Sequence, residues 1–151
     1  MNPKEVMADF QFLGNRVSKL IIETKRIKEK GRVELTHDFD YKITETSQQD
    51  NSFLGMLQLS VQVKAKIKNK ILFKIDLAME GAFAGNSEKI TEEKFIEMLE
   101  MNGLANLINI SRAYLVGVSA QSGINPPVRI PMINLRKLRE KKQSIGRADS
   151  K

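Results

Sequence analysis

The sequence has no cysteine and no tryptophan, and only one histidine, His37, in 151 residues. Without cysteine there can be no disulfide, thiol nucleophile or Cys-type zinc site. A lone histidine needs Cys, His or carboxylate partners to bind a metal, and none stands at ligand spacing around it. The longest apolar run, AYLVGV, is far below the roughly 20 residues of a membrane span. The opening MNPKEVMADF carries acids and lacks the apolar stretch of a secretory signal, so a non-exported, cytoplasmic chain is expected.

What is present is ordinary for a globular protein, with 41% hydrophobic and 28% charged residues. The length suits one domain, read as a folded core over residues 9–140 and a basic, flexible tail over 141–151. Formal net charge is +7. Residues 134–151 hold seven basic residues against two acidic ones, a net of +5, which leaves +2 for the rest. A basic tail on a near-neutral body is a weak sign of nucleic-acid binding.

Four segments alternate at strand period. Residues 9–24 place Phe10 and Phe12 before Val17, Leu20, Ile21 and Ile22, with a bulge or bend expected at Gly14-Asn15. Residues 32–44 put Val33, Leu35, His37, Phe39, Tyr41 and Ile43 on one face. Residues 53–68 put Leu57, Leu59, Val61, Val63, Ala65 and Ile67 on one face. Residues 71–83 do the same with Ile71, Phe73, Ile75, Leu77 and Met79. ETSQQDNS reads as a polar loop, Asn69-Lys70 as a tight hairpin, and the glycines of EGAFAGN as a turn. An antiparallel meander follows, wet on one side.

The period then becomes helical. Thr91 can cap a helix carrying Phe95, Met98 and Leu99 as far as Asn102-Gly103. A second helix spans 104–122 and ends at Gly123. It has one charge, Arg112, and apolar or small residues at nearly every angle. Such a helix needs cover on more than one side, so a second subunit is expected against it. NPPVRIP is extended by its prolines. A short amphipathic helix with Ile133, Leu135 and Leu138 comes next, then a frayed tail, QSIGRADSK.

No catalytic group emerges. His37 reads as a core or half-buried strand residue. Asp38 and Asp40 lie side by side on a solvated strand face rather than across a cleft. The glycines near residue 85 match neither GxGxxG nor a phosphate-binding loop. Lys64, Lys66 and Lys68 make a basic row on the wet face, which protects a sheet from aggregation or docks an acidic partner. The aromatics Phe39, Tyr41 and Phe73 fall on the apolar face, away from any base-stacking role.

The order of elements, together with FQFLGNRVSKL, ILFKIDLAMEGAFA and NGLANLINISRAYLVGVSAQSGINPPVRIPMINLRKL, resembles the SecB family of bacterial export chaperones. The pattern of Arg112, Gly123, Pro131, Asn134 and Leu135 is its most specific part. The resemblance implies an α+β fold: a four-stranded antiparallel sheet, with a long helix and a short C-terminal helix packed on one face. It implies a homotetramer, a dimer of dimers, and an ATP-independent holdase for non-native polypeptides or preproteins, with no enzyme activity, cofactor or metal. The polypeptide groove it implies uses Ile27, Phe83, Pro127, Val128, Ile130, Leu135 and Leu138. The subunit interface would use Leu104, Leu107, Ile108, Leu115, Val116 and Val118. Well-studied members dock the motor SecA through an acidic sheet face; the corresponding positions here are Glu34, Asp38, Asp40, Lys64, Lys66 and Lys68. Some relatives instead protect an antitoxin, which gives a dedicated-partner alternative. A small nucleic-acid module driven by the basic tail is the third reading.

Overall fold

The computed structural model describes residue 2 and residues 8–149. Among the described residues, strands β1 (Phe10–Thr24), β2 (Glu34–Gln49), β3 (Ser52–Ile67) and β4 (Lys70–Asn86) precede the helices. Helix α1 (Glu92–Met98), a π turn (Leu99–Gly103), helix α2 (Leu104–Gln121) and helix α3 (Leu135–Asp149) follow. All strand pairs are antiparallel, in the order β1-β4-β3-β2. The expected meander therefore holds for β2 to β4 only. β1 pairs with β4 rather than β2, reached by a crossover over residues 25–33. Placing β4 between two strands covers an apolar face that an edge position would leave half open: Ile75, Leu77 and Phe83 are fully buried.

The strands outrun their apolar patterns. Most of the polar stretch read as a loop is strand, because β2 runs to Gln49 and β3 starts at Ser52. Only Asp50 and Asn51 turn, with Asp50 in the left-handed region at φ 52°. The next hairpin turns at Lys68 (φ 49°) and Asn69 (φ 66°), one residue earlier than expected. Two left-handed residues in succession are the signature of the type I′ turn that matches strand twist. β1 is bulged twice, between Phe12 and Gly14 as foreseen and again between Val17 and Lys19.

The glycines of EGAFAGN belong to β4, not to a turn. On the helix-facing side, Phe53 stands opposite Gly85, Gly55 opposite Phe83, and Leu57 opposite Gly81. Large and absent side chains thus alternate across two strands, and the gaps seat the helices. A Cβ on Gly81 would lie 2.7 Å from Leu107 and 2.9 Å from the Phe83 ring. On Gly85 it would lie 2.6 Å from Phe95, and on Gly55 2.8 Å from Leu99. A strand glycine here marks close approach of a packed element.

Thr91 caps α1 as its sequence indicates, accepting a hydrogen bond from Lys94 N at 3.1 Å. Asn102-Gly103, expected to end the helix, instead lies in the π turn of a continuous helical rod. Leu99 and Leu104 are five residues apart. A π turn, with its i→i+5 repeat, brings both onto the buried face. From there Leu104, Leu107, Ile108, Ser111, Leu115 and Ser119 face the sheet.

Residues 124–131 are strapped to α2. Ser119 Oγ accepts from Val128 N at 2.8 Å, and Arg112 donates to the carbonyls of Ile130 (2.9 Å) and Pro131 (3.1 Å). The supposed frayed tail is largely helical, since α3 continues to Asp149; residues 150–151 lie outside the described ones. Among the described residues no helix is long and apolar enough to cross a membrane.

The glycine seats give a direct stability test. Gly81→Val is expected to cost about 1–3 kcal/mol by overpacking against Leu107 and Phe83. Urea unfolding of the variant measures it, and an unchanged midpoint contradicts the seating of α2 on β4.

Candidate functional site

The helices cover the inner face of the sheet unevenly, and the two edge strands retain exposed apolar side chains. β1 shows Phe12 (41% exposed), Leu13 (58%), Val17 (37%) and Ile21 (43%). Val33, just before β2, and Leu35, its second residue, are 46% and 44% exposed. The sequence pattern assigned Val33 and Leu35 to a buried face. An edge strand beyond the reach of α2 leaves them open.

The β2 margin is built in steps. The crossover carrying Ile27 reaches the hairpin end of the sheet, where Gly31 lies against Ile67 and Lys68. Leu35 follows on the inner face, opposite Ala65. His37 is next on that face, against the backbone of Arg129. α3 then packs Leu135 and Leu138 onto the core. Further along the same face, α3 is clasped to β2 and the π turn. Arg139 pairs with Glu100 at 3.5 Å, Tyr41 donates to Glu100 at 3.2 Å, and Lys142 pairs with Asp40 at 2.7 Å. Around this clasp the open apolar side chains are Val33, Leu35 and the almost fully exposed Met132 (91%), which with the half-buried Pro127, Leu135 and Leu138 we read as a shallow β2 strip.

Of the seven expected groove residues, Ile27, Pro127, Leu135 and Leu138 are half-buried. Phe83, Val128 and Ile130 do not line the strip. Phe83 fills the space beside the β3 glycine, and Val128 and Ile130 are pulled into the core by the Ser119 and Arg112 bonds. The strip gains Val33, Leu35 and Met132, which periodicity alone could not distinguish from core residues.

The interface set also divides. Leu104, Leu107, Ile108 and Leu115 are 0–4% exposed within one chain, packed on the sheet, and are not free to meet a partner. Val116 and Val118 remain half-buried. The outward stripe of α2 is Asn106, Asn109, Ala113, Gly117 and Ala120, without a charge. The expected docking residues lie on the face away from the helices, except Lys68, which is in the hairpin turn. Glu34 stands opposite Lys66 in the strand register without an ion pair among the described residues, while Asp40 is engaged by Lys142 and by its own chain at Tyr41 N.

Two titrating groups mark the strip. Burial holds His37 below the usual imidazole value of 6.5, opposed by the backbone of Arg129. Its ring stacks on Phe39 (centroids 6.1 Å apart, 3° between planes), and its Nε2 is buried without a partner among the described residues. Tyr41 is pushed up to about 12, first by burial and then by the Glu100 carboxylate. Among the described residues no three His, Asp or Glu side chains converge to hold a metal.

Neither a protein-family model nor a curated sequence matches the chain. Among solved structures, the fold is similar to that of the Mycobacterium tuberculosis Rv1957 SecB-like chaperone, solved in complex with a ChAD peptide from the Rv1956 HigA1 antitoxin. The TM-score is 0.61 at 16% identity, over 83% of this chain and 91% of that one. A Streptococcus agalactiae protein of unknown function matches with a TM-score of 0.48 at 9% identity, over 82% and 97% of the two chains. The four-stranded antiparallel sheet, long helix and C-terminal helix expected from the sequence are thus those of a SecB-like fold.

The His37 environment predicts a pH response. The folded state disfavours the proton that the unfolded chain accepts near 6.5. Its stability contribution is therefore complete above that value and is lost as pH falls through it. Unfolding midpoints measured between neutral and mildly acidic pH should fall in the parent and fall less in His37→Gln. Equal slopes contradict the assignment.

Proposed function

We propose that the chain is an ATP-independent holding chaperone, acting in the cytoplasm, that binds non-native polypeptides along the β2 strip. The observation that carries this reading is the strip itself, an open run of Val33, Leu35, Pro127, Met132, Leu135 and Leu138 on a SecB-like fold. A holdase needs exposed apolar surface on a frame that does not collapse onto it. Micromolar binding requires about −8 kcal/mol, and each buried Leu, Ile or Phe of a client supplies roughly 1.5–3 kcal/mol before ordering costs. A few client side chains are enough. The strip offers shape and apolarity without sequence-specific polar contacts, which suits varied clients, including preproteins held for export. The outer sheet face carries lysines where SecA-docking proteins are acidic, which argues against delivery to SecA.

A second reading keeps the site and narrows the client to one partner, such as an antitoxin. It is favoured by the antitoxin peptide in the Rv1957 structure. Assembly belongs to the same proposal. The uncharged outward stripe of α2 and the open β1 edge both suit a second copy of the chain, up to a dimer of dimers.

Mixing a chemically unfolded client with excess protein, without ATP, should delay its aggregation; an unaltered time course refutes the holding function. Val33→Ser/Leu35→Ser should weaken client binding by about tenfold or more, the loss of two apolar contacts. Ala113→Arg and Val116→Lys should lower the mass seen by light scattering, because either puts an unpaired charge on the shared helix face. Unchanged mass in both contradicts the assembly.

A further inference from the structure

The excess charge of the chain gathers at one end of the sheet, from two segments far apart in sequence. The crossover and its flanks (residues 23–34) and the β3–β4 hairpin (64–74) hold ten Lys and Arg against three Glu, a net of +7. The rest of the chain balances, with fifteen basic and fifteen acidic residues. Topology joins the two segments. Thr24 stands opposite Phe73 and Glu34 opposite Lys66 in the strand register, Lys25 N donates to Leu72 O, and Glu29 is ion-paired with Lys70.

On the face away from the helices, Lys64 stands directly opposite Lys74, with Lys66 two residues along β3. Like charges directly opposed destabilise a sheet. Among the described residues none of these three lysines has a carboxylate within ion-pair distance. An anion bridging the rows would remove that repulsion.

We propose that this hairpin end of the outer sheet face docks an acidic, extended polypeptide segment. Residues i and i+2 of a strand lie about 6.6–6.8 Å apart, the same spacing as alternate carboxylates on an extended acidic peptide. Lysines 64 and 66 repeat at that interval along β3, whose pairing with β4 is shifted in register between them. The outward positions around them are Glu23 opposite Lys74, Glu34 and Ile71 opposite Lys66, and Thr36, Asp38, Gln62 and Asp76; neither glutamate reaches ion-pair distance among the described residues, and no aromatic ring is offered for base stacking. The surface lies on the opposite side of the sheet from the β2 strip and stands whether or not the strip holds clients.

Fluorescence anisotropy with a labelled Glu-Ser repeat peptide, which has no apolar side chain for the strip, tests it at low salt. Binding is expected, and Lys64→Gln/Lys66→Gln/Lys74→Gln should weaken it about tenfold, the sum of three exposed ion pairs. Lys64→Gln alone should raise the unfolding midpoint of the free protein by relieving the opposed pair. Arg136→Gln/Lys137→Gln/Lys141→Gln on α3 should leave binding unchanged. The proposal fails if a Gln-Ser repeat binds as tightly, or if the α3 variant loses binding and the triple sheet variant does not. It also fails if a single-stranded oligonucleotide or a phosphatidylserine vesicle binds more tightly than the peptide.

Discussion

The structure depends on the contact between two central strands and one helical rod. Phe53, Gly55 and Leu57 on β3 face Gly85, Phe83 and Gly81 on β4, so each large side chain meets a gap. Into those gaps go Leu99, Leu107 and Phe95. Interiors are packed to crystal-like density, and a backbone this close to a helix leaves no room for a Cβ. The π turn serves the same contact. It takes up the five-residue spacing between Leu99 and Leu104 without breaking the rod, which keeps apolar residues on the sheet over both of its halves.

Seating the rod over β3 and β4 fixes what is left uncovered. The edge strands receive only partial cover, from the strap at residues 124–131 and from α3. β1 keeps an open apolar edge, and β2 keeps Val33 and Leu35 in a strip around a charged clasp, Tyr41–Glu100–Arg139 with Asp40–Lys142. Two surfaces of different chemistry therefore occupy opposite faces of one thin sheet. The inner margin is apolar and suited to unfolded chains; the outer hairpin end is cationic and suited to acidic segments. A client that combined an apolar stretch with an acidic flank could engage both.

Much of this was legible in the residues. Period-two alternation marked all four strands, and Thr91 marked the helix start, because those signals are local. Topology was not legible: nothing in β1 announces that it pairs with β4, since long-range pairing is decided by which apolar face most needs cover. The strand glycines were misread because glycine far more often marks a turn than a seat for a distant helix. The four leucine and isoleucine positions assigned to a partner were consumed by the chain's own sheet, and the real outward stripe is Asn, Ala and Gly, which no hydrophobic pattern singles out. Two interspersed groups of lysines escaped notice as one patch, because the fold brings together segments that the sequence keeps about thirty residues apart.

The claim that matters most is that non-native polypeptide lies along the β2 strip. Site-specific photocrosslinking tests it most directly, with a photoreactive phenylalanine analogue at Leu35, at Met132 and, as an outer-face control, at Gln62. An apolar unfolded client without acidic runs should crosslink strongly from positions 35 and 132 and little from 62. Crosslinks confined to position 62, or absent from all three while aggregation is still suppressed, would contradict the account.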